Sequence, residues 1–526
     1  MMITTFPFRS LPVIASILLG LCAHGQVAPL KAKAKIAPDP DGNEKRFIGT
    51  MFAASDRTLL VSRVEELGSG VFSYEKSAAT LEVYDRAKLN LLRTQDPVMQ
   101  FNGVPLFFET IVKLGEDPVM IGSRRDTVVG STQLYWQKAD ANLTYPHRPF
   151  ERLCIFDTRT YGDGQKIADG HGHRDVFHTS YSPDSSMVLL YSPAVRNVNG
   201  DTHRPMVLVD RNMRLVWKQT VEMPDGSSFS TVQVDHLGNA YMLDREGMAV
   251  KDMKKDTSSF RLVMRRVNEK GVTECDLGLG KERFLKTASL TGLRDSTLIL
   301  AGMYTGMSGK EEPTMGDVLG RIPAGADKME VINSATYSMD SDDAVPTKGQ
   351  MRVLDVLPHG KDGYFVVREF HQETSAVDSK TSMSGLRWIH GPLVVSDLDA
   401  KGEERWTSTF RRLIYDKDPM VGEAFCLEYK GQLMLLLVDS EEQVEKRKSG
   451  EKKLTHMDLK SPFSTSVPFN ADGTYKAKNI LRTSGANDFI VGRELYRLGP
   501  SEYYATGSHK LSGSRMLPVR IDISTE

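Results

Sequence analysis

His178-Thr-Ser-Tyr-Ser-Pro-Asp-Ser-Ser-Met-Val-Leu-Leu-Tyr191 decides the fold. A polar turn, Ser182 to Ser186, runs straight into five consecutive apolar residues, Met187 to Tyr191. A short apolar run bounded by turn residues marks a strand buried on both faces. The same pairing of turn and strand recurs at Ser55–Ser62, Glu116–Gly122, Gly238–Asp244, Asp295–Ala301, Asp362–Arg368, Gly431–Val438 and Glu502–Thr506, at intervals of 54 to 71 residues. A second landmark falls between these positions, where an apolar stretch ends in Asp or Asn and the chain reverses, as at Asp85, Asp157, Asp210, Asn268, Asp399 and Asn470. Asp, Asn and Gly supply the side-chain-to-backbone bonds and left-handed backbone that tight hairpins use.

Each period of about 64 residues therefore holds two hairpins, or about four strands, and helical spacing is almost absent. Units that cannot bury their own apolar faces must stack on their neighbours, and four-stranded units repeated in this way close into a β-propeller. The expectation is an all-β chain of seven blades, with six and eight as alternatives. It is closed by pairing of N- and C-terminal strands, Phe47–Arg63 sharing a blade with Tyr503–Ile523. Residues 26–46 are read as a linker, 47–526 as the propeller, and 305–349, 372–391 and 441–453 as long loops.

The first 25 residues carry one charge, Arg9, then an apolar run from Leu11 to Ala23 and small residues at Ala23 and Gly25. That is the pattern of a signal peptide cut before Gln26. A 13-residue run is shorter than the about 20 residues a membrane-spanning helix needs. Leu21 stands before Cys22 where lipoprotein signals carry a small residue, which argues against a lipid anchor. The expected address is periplasmic or secreted, with no transmembrane segment. Lys and Arg total 67 against 68 Asp and Glu, a balance that lacks the basic excess nucleic acid selects. Beyond Cys22 there remain Cys154, Cys275 and Cys426, widely separated and without a Cys-x-x-Cys pair. Such spacing allows at most one disulfide and makes no framework.

His178–Leu190 resembles the strand openings of TolB-type propellers, with Ser185 in place of the usual glycine. Leu398-Asp-Ala-Lys-Gly-Glu-Glu-Arg-Trp406 is similar to the hairpin of quinoprotein-like propellers. Val209–Trp217 keeps its Asp-to-Trp spacing but has Met213 where the glycine belongs. The resemblance implies that Trp217 and Trp406 dock between blades. The order of these elements also resembles a group of uncharacterised exported proteins of Bacteroidota, which implies a fold and an address but no activity.

The chain has no Gly-x-Ser-x-Gly, His-Glu-x-x-His, Walker loop or zinc-type cysteine pair. No catalytic residue is assigned and no cofactor is expected. His171, His173 and Asp175 alternate along an extended segment, so their side chains could face one metal ion. Trp136, Arg387, Trp388 and His390 are candidate contacts for an envelope protein or glycan, since Trp and Arg dominate binding hot spots. Each of these aromatic positions has the alternative of packing its own loop. The expected function is an exported binding or scaffold protein of the cell envelope. The alternative is a propeller enzyme, a quinoprotein-like oxidoreductase or a hydrolase, with its groups in the channel.

Overall fold

The computed structural model describes residues 28–38, 46–65, 79–115, 117–126, 131–140, 143, 149–157, 177–192, 195–196, 202–224, 228–247, 260–280, 283–293, 295–306, 314–338, 350–359, 363–377, 384–416, 422–451, 462–481, 488–491, 494–508 and 516–525. The signal segment with Cys22, and the candidate ligands His171, His173 and Asp175, lie outside these residues.

Met187–Tyr191 is fully buried, as its apolar run requires, and pairs antiparallel with His178–Tyr181 on one side and Thr202–Asp210 on the other. Leu215–Met223 adds a fourth strand. The turn before Met187 is held by Asp184, whose Oδ1 accepts the Ser186 N–H at 3.1 Å and the Ser182 hydroxyl at 2.7 Å. Ser185 sits at φ 55° and Met213 at φ 61°, the left-handed conformation that glycine would supply more easily.

This four-stranded antiparallel unit repeats along the chain. The described residues hold eight such units: 46–95, 107–157, 178–223, 228–274, 283–338, 350–416, 425–481, and 489–525 joined by Leu30–Ile36. The fourth and fifth share a sheet only through the pair Leu262 and Leu285. Apolar clusters join each unit to the next. Val188 and Leu190 of the third pack with Ile121 and Phe156 of the second, for example. Tyr504 and Leu517 of the eighth pack with Leu59 and Val61 of the first. The fold is an all-β propeller.

Phe47–Arg63 and Tyr503–Ile523 do not share a sheet. The first belongs to the sheet of 46–95, while Leu517–Thr525 pairs with Leu30–Ile36, in register from Leu30 opposite Thr525 to Ile36 opposite Val519. Seven units follow only if those two stretches are merged, so the described residues contain one unit more. Leu30–Ile36, inside the stretch read as a linker, is an outer strand whose side chains alternate between buried or half-buried and exposed. The stretches read as loops also contain regular structure. Thr314–Ile322 and Glu330–Ser338 are outer strands of the fifth unit, and Gly363–Val377 and Ser384–Asp399 run on as one long hairpin in the sixth. Glu441–Lys448 is a helix capped by Ser440, with Glu441 and Glu442 in its first turn and Lys446 to Lys448 in its last. Its polar Gly- and Ser-poor sequence satisfies backbone locally, which the strand-only reading passed over.

The two tryptophans dock between units. Trp217 is buried and its indole N–H donates to the Gly238 carbonyl of the fourth unit at 2.6 Å. Trp406 stacks on Phe469 of the seventh with ring centroids 5.8 Å apart, over a turn where a side chain on Gly473 would meet it. Cys154, Cys275 and Cys426 are all free thiols. No helix among the described residues is long and apolar enough to cross a membrane.

Candidate functional site

Gln350–His359 and Phe425–Tyr429 are the first strands, in chain order, of the sixth and seventh units. Between these two strands lies a cavity of about 700 Å³. Its walls carry Gln233, Arg352, Asp355, Glu423, Glu428 and Arg497 beside the apolar surfaces of Phe425 and Tyr503. The fold brings these residues together from the fourth, sixth, seventh and eighth units, a span no local motif could encode.

Arg352 connects the cavity to a buried network behind it. Its Nε and Nη2 meet Glu369 Oε2 at 2.8 and 2.6 Å. Arg412 Nη2 donates to Oε1 of the same carboxylate, and His390 Nδ1 lies 3.0 Å from that oxygen. Glu369, His390 and Arg412 are buried in the sixth unit, Arg412 at 1% side-chain exposure. Burial pushes the Glu369 carboxyl up, but the two guanidiniums and His390 outweigh it and hold it well below the ordinary range. Glu369 is therefore ionised, and His390 Nδ1 carries the hydrogen that it donates. Burial lowers His390, and burial with Arg352 lowers His371 to about 3, so both imidazoles are neutral.

Glu369, His371 and His390 each bring a possible ligand atom within 4.8 Å of the others. The imidazoles have the protonation a metal needs. The carboxylate is ionised too, but its oxygens already accept from two arginines and a histidine, and those guanidiniums repel a further cation. The backbone of Gly422 also lies against His390 Cδ2 and Nε2, so closely that a Cβ there would collide with the ring. The chemistry of this set is that of an ion network.

Asp355 differs from Glu369 in having no cation. Its Oδ1 accepts the Val356 N–H at 2.8 Å and lies 3.5 Å from the Ser289 hydroxyl. Burial raises this carboxyl to about 7. Cys426, beside it in the cavity wall, is pushed well above its ordinary value by burial, and so is not a thiolate nucleophile at neutral pH.

The residues picked out by sequence fall differently. Trp136 is half-buried against the cluster between the second and third units, and Trp388 is half-buried on Ser384–Asp399. His390 is fully buried on Glu369 and is not available to a partner. The side chain of Arg387 is outside the described residues. Trp136 lies in the second unit and the others in the sixth, so the structure does not gather them into one patch. The network residues missed by sequence reasoning had one signal: Arg368-Glu369 interrupts the apolar run Tyr364 to Phe370, and charges inside a buried strand require partners.

No family model matches the chain, and no curated protein matches it. Among solved structures it is similar to the β-propeller domain of the Trilobed protease from Pyrococcus furiosus, at 7% identity and a TM-score of 0.34 over 84% of this chain and 97% of that one. It is also similar to dipeptidyl peptidase 4 from Porphyromonas gingivalis, at 11% and 0.42 over 88% of this chain and 56% of that one. A third likeness is to the polysaccharide lyase Uly1, at 9% and 0.36 over 81% and 91%. At these identities and scores the likenesses assign no activity to this chain.

Proposed function

We propose that this protein is an exported, periplasmic or secreted binding propeller of eight closed blades that takes a glycan in its central cavity. The observation that carries this reading is the cavity itself. Its about 700 Å³ falls in the range of small-ligand sites. Acids, an arginine and a carboxamide can each accept or donate to hydroxyl groups, while Phe425 and Tyr503 offer apolar surface to a sugar ring. The N-terminal pattern of residues 1–25 supports the address. Calorimetric titration of a panel of neutral and charged oligosaccharides tests the reading. Binding should weaken about tenfold in Gln233→Ala at the parent melting temperature, a loss of one or two hydrogen bonds to the ligand. Absence of binding to every glycan at millimolar concentration, or unchanged affinity in this variant, would overturn it.

A hydrolase is the second reading, favoured by Asp355 alone, since a carboxyl raised to about 7 is suited to general acid catalysis. Release of reducing ends from the same panel, lost in Asp355→Asn, would establish it.

A further inference from the structure

Asp355 is a carboxyl in the cavity wall with no cation paired to it among the described residues. Every other charged group facing it is engaged. Arg352, on its own strand, is bound to Glu369. Arg497, from the eighth unit, donates to the Pro500 carbonyl at 3.1 Å and lies over the Tyr503 ring at 5.7 Å. From the seventh unit, Glu428 accepts the Gly431 N–H at 2.5 Å, Glu423 also has a partner, and Cys426 is a neutral thiol. Ser289 of the fifth unit and Gln233 of the fourth are uncharged. Arg352 is thus paired with Glu369 and Arg497 is held to a backbone carbonyl, while two carboxyls of the cavity wall, Asp355 and Glu428, have no cation paired to them among the described residues.

We propose that the cavity selects ligands bearing a primary ammonium group, an amino sugar if the ligand is a glycan, with the Asp355 carboxylate as counter-ion. This rests on the cavity being the ligand site. An ammonium brings three N–H donors, and Asp355, whose Oδ1 lies 3.5 Å from the Ser289 hydroxyl, provides a carboxylate acceptor in the cavity wall. Charge-assisted bonds of this kind are roughly twice as strong as neutral ones. In the free protein burial holds Asp355 at about 7, so at pH 6.5 most of it is protonated. An arriving ammonium favours the ionised form, and the carboxyl proton leaves to solvent as the ion pair forms.

The experiment is calorimetric titration of the whole protein at pH 6.5 with the tetramer of glucosamine and with the tetramer of N-acetylglucosamine, in two buffers of different ionisation enthalpy. The amino tetramer should bind about tenfold tighter or more, with release of roughly half to one proton per site. In Asp355→Asn the ratio of the two affinities should fall to about one and proton release should vanish, while Asp355→Glu keeps the preference. Proton release in the unaltered protein is read independently of whether a variant folds. Equal affinities, or a preference that survives Asp355→Asn, would overturn the proposal. If only the N-acetylated tetramer binds, the ammonium preference falls and the glycan reading stands. If neither binds, both fall.

Discussion

Replacing Glu369 by Gln keeps the shape of the side chain and removes the charge at the centre of the sixth unit. The carboxylate accepts from Arg352 Nε, from Arg412 and from His390, and Arg352 Nη2 stands within ion-pair distance. Gln offers one acceptor oxygen and turns an amide N–H toward a guanidinium. Stripping one partner from a buried ion pair typically costs about 3–5 kcal/mol, chiefly because the other charge stays buried and uncompensated. Arg352 keeps 26% side-chain exposure and is partly solvated, whereas Arg412 keeps 1%. The loss therefore comes mainly from Arg412 and should be about 3 kcal/mol. Urea unfolding followed by tryptophan fluorescence measures it. The sign with pH is also fixed. Glu369 in the folded protein sits below its unfolded value, so its contribution is present above about pH 4.3 and is lost as pH falls toward the folded value. Unaltered protein should weaken on acidification more steeply than Glu369→Gln. Adding Arg412→Met should restore part of the loss, since an apolar replacement removes the stranded charge. A Glu369→Gln protein within about 0.5 kcal/mol of the parent, the level of an ordinary surface change, would refute the network as a source of stability.

Trp217→Ala should destabilise by about 3–5 kcal/mol, through lost contacts between the third and fourth units and a cavity, measured by the same urea unfolding. Ser185→Gly should stabilise by about 0.5–1 kcal/mol, because the exposed serine is held at a positive φ that glycine adopts at lower cost. Deletion of residues 30–36 should lower the melting temperature and produce concentration-dependent association on gel filtration, since Leu517–Thr525 then becomes an unpaired edge. A monomer of unchanged stability would show that this pairing is dispensable.

The strands in the middle of each sheet were legible because Met187–Tyr191 and Gln432–Ser440 are buried on both faces and so carry continuous apolar runs, Met187–Tyr191 and Leu433–Val438. Outer strands carry less of that signal. Leu30-Lys-Ala-Lys-Ala-Lys-Ile36 is half-exposed, and its short alternating pattern becomes a strand only against Leu517–Thr525. That is why a linker and one unit fewer were expected. Glu330–Ser338 was hidden for the same reason, its ladder to Thr314–Ile322 being set by backbone bonds among Gly, Ser and Asn. Little of the candidate site was legible. Arg352, Glu369, His390 and Arg412 are far apart in sequence, and strand register with a bulge between Glu369 and His371 brings them to one carboxylate. Asp355 looks like any acid in a strand until the neighbouring arginines are seen to be occupied.

The pairing of Leu30 with Thr525 also sets an order of events. The two residues are 495 positions apart. Closing a loop of that length costs about 3–4 kcal/mol more than closing a ten-residue hairpin, by the logarithmic dependence of chain entropy on length. None of the first seven units has Leu30–Ile36 as a strand of its own sheet, whereas the eighth sheet lacks its fourth strand until both ends have met. That pairing can form only once both ends of the chain are available. During synthesis Leu30–Ile36 emerges first and its partner Val519–Thr525 last, and in that interval the unpaired strand is where a foreign strand could bind.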